Sequence, residues 1–184
     1  MISVSLNEKE IKRATKLLAI APKELHVAAA VSVNRTLTHV KATMSKTVRQ
    51  RYLVKAASVK GSIKTIKASG SNPTGKLEST GSPISLTAFR ISVRKRGPVK
   101  VKILRSGNLK PVKGLFVNRF PRGYTGPMHR RQPARYPLAT PAGPSIPQMI
   151  GNESVLSVWE KDAEKYFNER FTHEVDYRFS KLFG

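Results

Sequence analysis

Phe89-Arg90-Ile91-Ser92-Val93-Arg94-Lys95-Arg96-Gly97-Pro98-Val99-Lys100-Val101-Lys102-Ile103 is the stretch on which the fold class turns. Apolar and polar residues alternate on both sides of Lys95-Arg96-Gly97-Pro98, the period of two expected of paired strands. For the apolar residues to share a face, Val93 must lie opposite Val99 and Phe89 opposite Ile103. The same register sets Arg90 opposite Lys102. Like charges directly opposite are unfavourable by roughly 0.2–1 kcal/mol. One face of this hairpin is therefore core, and the other is a basic surface in need of counter-charge.

Upstream, the period is helical. Residues 7–20 read as a short amphipathic helix, capped by Asn7, with Glu8 and Glu10 in its first turn. Pro22 ends it and can open a second helix. There Ala30, Val33, Leu37, Val40, Met44 and Val48 form one apolar stripe of about five turns. Arg35, Lys41, Lys46 and Arg49 lie off that stripe. A helical turn over Lys55 to Lys60 is expected to stop at Gly61. Ile63 to Lys67 reads as a short strand, Leu115-Phe116-Val117 as a further strand, and Met128 to Arg130 as another.

Residues 106–152 hold eight of the twelve prolines and six of the twelve glycines. The expectation is an extended arm or long loop that packs on a neighbour. Asn152 then caps a closing helix. Its stripe is Leu156, Trp159, Ala163, Tyr166, Phe167, Phe171, Val175, Phe179 and Leu182. It also carries seven of the eleven acids. The fold class is α+β: long N-terminal and C-terminal helices packed on a small antiparallel sheet, with an extended Pro/Gly-rich arm. Residues 1–184 form one domain, helical over 1–61, sheet over 62–131, arm over 132–152 and helix over 153–184.

Charge is distributed unevenly. Residues 25–152 hold 24 Lys or Arg and one acid, Glu78, so the whole net charge of +23 belongs to the middle of the chain. Such self-repulsion suits a surface that meets something anionic. Hydrophobic content is 39% and aromatic content 7%, thin for a self-sufficient core, which points to completion by neighbouring subunits. There is no cysteine, so disulfides and thiolate chemistry are excluded. Leu17 to Ala21 is too short for a signal-peptide core and nothing reaches spanning length, so no membrane role and a cytosolic origin are expected.

Three constellations invite chemistry. Gly70-Ser71-Asn72-Pro73-Thr74-Gly75-Lys76-Leu77 approaches a P-loop, but Leu77 stands where the Mg²⁺-binding hydroxyl belongs and no helix pattern follows. An ordinary loop is the better reading. Glu169, His173 and Asp176 can share a helix face and could hold a divalent ion, a pattern that a solvated face satisfies equally. His129, Arg130, Arg131 and Arg135 lie beside Tyr124 and Tyr136, where aromatics among arginines either stack on bases or anchor packing. His26 and His39 read as packed or solvated. The acids needed for general acid/base work are missing from the basic middle, and no nucleophile–base spacing rises above chance. The chain reads as a non-enzyme without cofactor.

The order of features resembles the minor tail protein Z family of tailed bacteriophages, tail-completion proteins of the lambda type. The resemblance rests on Asn34-Arg35 in the Ala-rich helix, on Arg51-Tyr52-Leu53-Val54-Lys55 through Ile63, and on Pro83-Ile84-Ser85-Leu86-Thr87-Ala88-Phe89. It continues through Gly114-Leu115-Phe116-Val117, Tyr136-Pro137-Leu138, Gly143-Pro144-Ser145-Ile146-Pro147 and His173-Glu174, over roughly residues 25–180. It implies a structural virion protein at the head-proximal end of the tail, assembled in the host cytoplasm. It also implies a homo-oligomeric ring, a hexamer, with tail terminator and head–tail connector proteins and the packaged double-stranded DNA as partners. The candidate interface or DNA-facing residues are Arg90, Arg94, Lys95, Arg96, Lys100, Lys102, Arg105, Arg130, Arg131 and Arg135. Trp159, Phe167 and Phe171 are candidates for an assembly or core helix. The rival reading is a ribosomal-type or other RNA- or DNA-binding protein, supported by the charge and the arm. The aromatic helices at neutral ends and the lack of a stacking platform count against it.

Overall fold

In the computed structural model, residues 8–20, 22–93, 98–119 and 125–183 are described. Arg94, Lys95 and Arg96, with the turn expected there, the Asn7 cap and Tyr124 lie outside them.

Two long helices are the frame. Helix α1 spans Glu8–Ile20 and α2 spans Pro22–Arg51, with Pro22 at its first position as its missing N–H allows. The closing helix α5, Glu153–Phe183, runs antiparallel to α2: Glu24 pairs with Arg178, Arg35 with Glu174, and Thr43 with Asp162. Helix α1 lies against the far end of both. The buried face of α2 carries hydroxyls as well as apolar groups. Ser32, Thr36 and Thr47 return their hydroxyls to the carbonyls of Ala28, Ser32 and Thr43 at 2.8–3.0 Å, so those hydroxyls are satisfied inside the packed face.

A short helix α3, Ala56–Ser62, follows. It runs through Gly61 rather than stopping there, and Ser62 closes it by donating its hydroxyl to Val59 O at 2.9 Å. Strand β1, Ile63–Ile66, pairs antiparallel with β2, Lys76–Ser79. The P-loop-like stretch is the connection between them. It is pinned to α2 by Asn34, whose amide Nδ2 donates to Ala68 O and whose Oδ1 accepts from Ala68 N, both at 2.9 Å. At Gly75 a Cβ would come within 2.6 Å of Leu37 and 2.7 Å of Val33, so the loop lies directly on the helix. Asn34→Ala should cost about 1–3 kcal/mol, because it leaves the Ala68 amide and carbonyl unpaired in a partly buried place. Urea unfolding of the two proteins measures this, and a change under about 0.5 kcal/mol would show that the clamp is not needed.

The central hairpin has the register that parity requires. Strands β3, Arg90–Ser92, and β4, Lys100–Lys102, pair Arg90 with Lys102, Ile91 with Val101 and Ser92 with Lys100, and β5, Lys110–Pro111, adds an edge. Phe89, Val99 and Val101 are buried, but Val93 is 53% exposed. The strand ends at Ser92, short of the expected Val93–Val99 pair. Strands β6, Phe116–Arg119, β7, Thr125–Arg130, and β8, Leu138–Ala139, make a separate antiparallel sheet. The β content is thus three small sheets where one was expected.

The Pro/Gly-rich stretch, read from the sequence as an extended arm or long loop, is bonded at several points to its own chain. Leu86 N donates to Pro141 O at 3.0 Å, and Gly143 N donates to Ile84 O at 2.7 Å. A side chain at Gly143 would meet the Phe89 ring at 2.9 Å, so this approach requires glycine. The unforeseen helix α4, Ile146–Ile150, carries a capping box between Ser145 and Gln148. Its Pro147 lies in the first turn, where no intrahelical bond is lost. Ile146, Met149 and Ile150 enter the main core beside Val48, Val59, Phe89, Val101 and Val155.

The stripe of α5 divides in two. Val155 and Ala163, with Trp159 partly covered, belong to that main core. Phe171 and Val175, with Phe167 and Phe179, form a second cluster against Leu25, Ala28 and Ala29. Leu182, placed on the stripe by spacing, is 46% exposed.

Candidate functional site

The charges segregate along the molecule. At the helical end, acids find partners within the chain: Asp176 with Arg13, Glu24 with Arg178, and Glu174 with Arg35 at 2.8 Å. Asp162 accepts from the Thr43 hydroxyl at 2.8 Å and lies 2.8 Å from His39 Nε2, whose ring stacks on Tyr166. Glu174 is nearly fully buried, and the guanidinium of Arg35 is what makes a carboxylate tolerable there. Asn34 and Arg35, where the family resemblance begins, therefore have structural work on α2.

Between Leu25 and Asn152 the single acid is Glu78, and it is taken. Lys76 Nζ lies 2.6 Å away, and this hydrogen bond and the charges of Lys76 and Lys64 hold the Glu78 carboxyl below the usual carboxylate range, against a small desolvation effect. Among the described residues, Arg90, Lys100, Lys102, Arg105, Lys110, Arg130, Arg131 and Arg135 have no ion-pair partner.

These cations fall into two groups. Arg90, Lys100 and Lys102 lie on the outer face of the β3–β4–β5 sheet, where Arg90 and Lys102 face each other across the pair. Arg105 continues from β4 to the end of α2. Its backbone N donates to Arg51 O at 2.7 Å and its Nε to Arg49 O at 2.8 Å, satisfying carbonyls that a helix end leaves open. It lies there with Lys46, Arg49 and Gln50 around a notch of about 300 Å³. The sequence reading did not count Lys46 and Arg49 as site residues. Their signal was present, since both lie off the apolar stripe in the closing turns of α2. The second group is on the β6–β7–β8 sheet. Arg130 stands over the Phe116 ring at 5.7 Å, and Arg135 over the exposed Tyr136 ring at 5.7 Å.

Of the helix candidates, Phe171 is buried, and Phe167 stacks on it at 5.7 Å between centroids. Trp159 is half-buried, and its indole Nε1 is buried without an acceptor among the described residues. Glu169 and Asp176 turn to Lys165 and Arg13, and no group of three His, Asp or Glu among the described residues is placed to hold a metal ion.

A family model described as prophage minor tail protein Z matches residues 5–182. The chain belongs to the prophage minor tail protein Z family. No curated protein and no solved structure matches it. The minor tail protein Z match takes in both long helices and all three sheets. The protein is a structural component of a phage tail, located in the virion tail. Among the described residues no helix is long and apolar enough to cross a membrane.

Proposed function

We propose that this tail protein completes the head-proximal end of the tail and supports joining to the DNA-filled head. In this reading it acts as a homo-oligomeric ring, a hexamer, beside tail terminator and head–tail connector proteins. The observation that carries the reading is the charge segregation: the helical end pairs its acids within the chain, and the strand-bearing middle, residues 62–145, keeps its cations with one acid, Glu78, already paired. A subunit of that kind has one end suited to protein packing and another suited to an anionic neighbour. Both packaged DNA and acidic protein rings are such neighbours. Ring closure through heterologous contacts lets every subunit present the same cationic face in the same direction. Exposed Arg130, Arg131 and Arg135 are the candidates for phosphate contact. They offer charge without a base-reading element, so contact there is independent of DNA sequence.

Cryo-electron microscopy of the virion, paired with particles made without this gene, tests the proposal. The expected result is density for this fold at the neck, together with filled heads and separate tails when the gene is removed. Density at the distal tip, or joined and infectious particles without the gene, would overturn it.

A further inference from the structure

A groove of about 740 Å³ opens between the end of α2, the β4–β5 edge and the returning Pro/Gly-rich strand. Its apolar lining includes Tyr52, Leu86, Ile103, Leu104, Val112 and Ala142, and Lys102 and Lys110 also line it. Leu104, on the lip, is 39% exposed. The next residue, Arg105, lines the cationic notch with Lys46, Arg49 and Gln50. An apolar recess and an anion-attracting notch are therefore one residue apart in the chain. Among the described residues no carboxylate pairs with any of these cations.

We propose that this groove is a docking site for an acidic segment of another protein of the particle, one that inserts an apolar side chain into the recess and sets a carboxylate in the notch. Charge complementarity decides the class of occupant. DNA could meet the cations, but its phosphates would leave the apolar recess unfilled. A neutral apolar segment would fill the recess and leave the cations desolvated without a partner, at a cost. The closing helix of a second copy fits poorly. The carboxylates of α5 without partners among the described residues are Glu153, Glu160 and Glu164, and the exposed apolar side chain in that half of the helix is Val158. At 100° per residue, Val158 lies about 120–160° around the helix from all three, so α5 cannot present anchor and acid together. The proposal goes beyond tail completion and holds at either end of the tail.

The test uses a photoreactive benzoylphenylalanine at Leu104 or, separately, at Asn108, another groove residue, in the full-length protein within assembled particles. Melting temperature confirms that each variant folds. The expected result is a protein adduct whose sequenced peptide comes from a different virion protein and carries carboxylates beside an apolar residue. Lys46→Glu with Lys110→Glu should lower the adduct yield about tenfold, since like charges across an interface oppose binding. Adducts to DNA, adducts to a second copy of this chain, or particles that contain the folded photoreactive variants and yield no adduct at either position would each overturn the proposal. Because the readout is chemical, it remains decisive if the protein is found at the other end of the tail.

Discussion

Phe171→Ala should lower the free energy of unfolding by about 3–5 kcal/mol, the cost typical of removing a buried aromatic ring. The ring is 8% exposed and lies in the small cluster that joins α2 to α5 at the helical end. That cluster has few members. Ala28 and Val175 are small, and Phe167 already stacks on one side at 5.7 Å, so little can move in to fill the space. The surrounding ion pairs will not compensate. Arg13–Asp176 is largely exposed and contributes modestly, and Arg35–Glu174 depends on the helices staying in contact. Trp159, the chain's one tryptophan, lies against the other core and reports on it by fluorescence during urea unfolding. If the two ends unfold together, the midpoint falls with an unchanged slope. A loss below about 1 kcal/mol would show that the aromatic cluster is not a stabilising contact. Trp159→Ala should cost less than a fully buried ring, because Trp159 is only half-buried and its indole N–H lacks an acceptor among the described residues.

Arg90→Glu should have effects of opposite sign on stability and on assembly. Arg90 and Lys102 are direct partners across β3 and β4, and neither forms an ion pair among the described residues. A glutamate at Arg90 turns a repelling cross-strand pair into an attracting one. The isolated protein should gain roughly 0.2–1 kcal/mol. If the outer face of this sheet meets an acidic neighbour in the particle, the same substitution brings like charges together there, at several kcal/mol per interface. Each 1.4 kcal/mol is a factor of ten, so infectious yield in complementation should fall by more than a hundredfold. Melting temperature and plaque counts are the paired measurements. A more stable protein with full infectivity would remove this sheet face from the assembly mechanism.

Much of the frame was readable because it depends on local spacing. A period of two over Phe89 to Ile103 dictated which residues could pair, and Arg90 does lie opposite Lys102. A period near 3.6 marked the buried side of α2, where Val40, Met44 and Val48 are core. Proline misled twice in one direction. Its density over residues 106–152 argued for an irregular arm, yet Pro147 lies in the first turn of a helix and Pro141 accepts a backbone hydrogen bond from Leu86. Proline forbids only certain bonds, and here the chain uses the others.

Periodicity, charge and parity, which follow from the covalent order of the chain, determined the two long helices, the hairpin register and the surplus of cations, while the family resemblance rested on short motifs in their order. Tertiary structure alone decided where the acids of α5 go. Thr43 and Asp162 are 119 residues apart and Arg13 and Asp176 are 163 apart, and spacing along the chain carries no record of such pairs. It also decided that the α5 stripe serves two cores, that Arg105 closes the end of α2, and that an apolar groove opens beside a cationic notch. Each of these depends on which faces meet after the chain has folded. A face is legible from sequence, and its partner is chosen by shape, burial and charge in three dimensions.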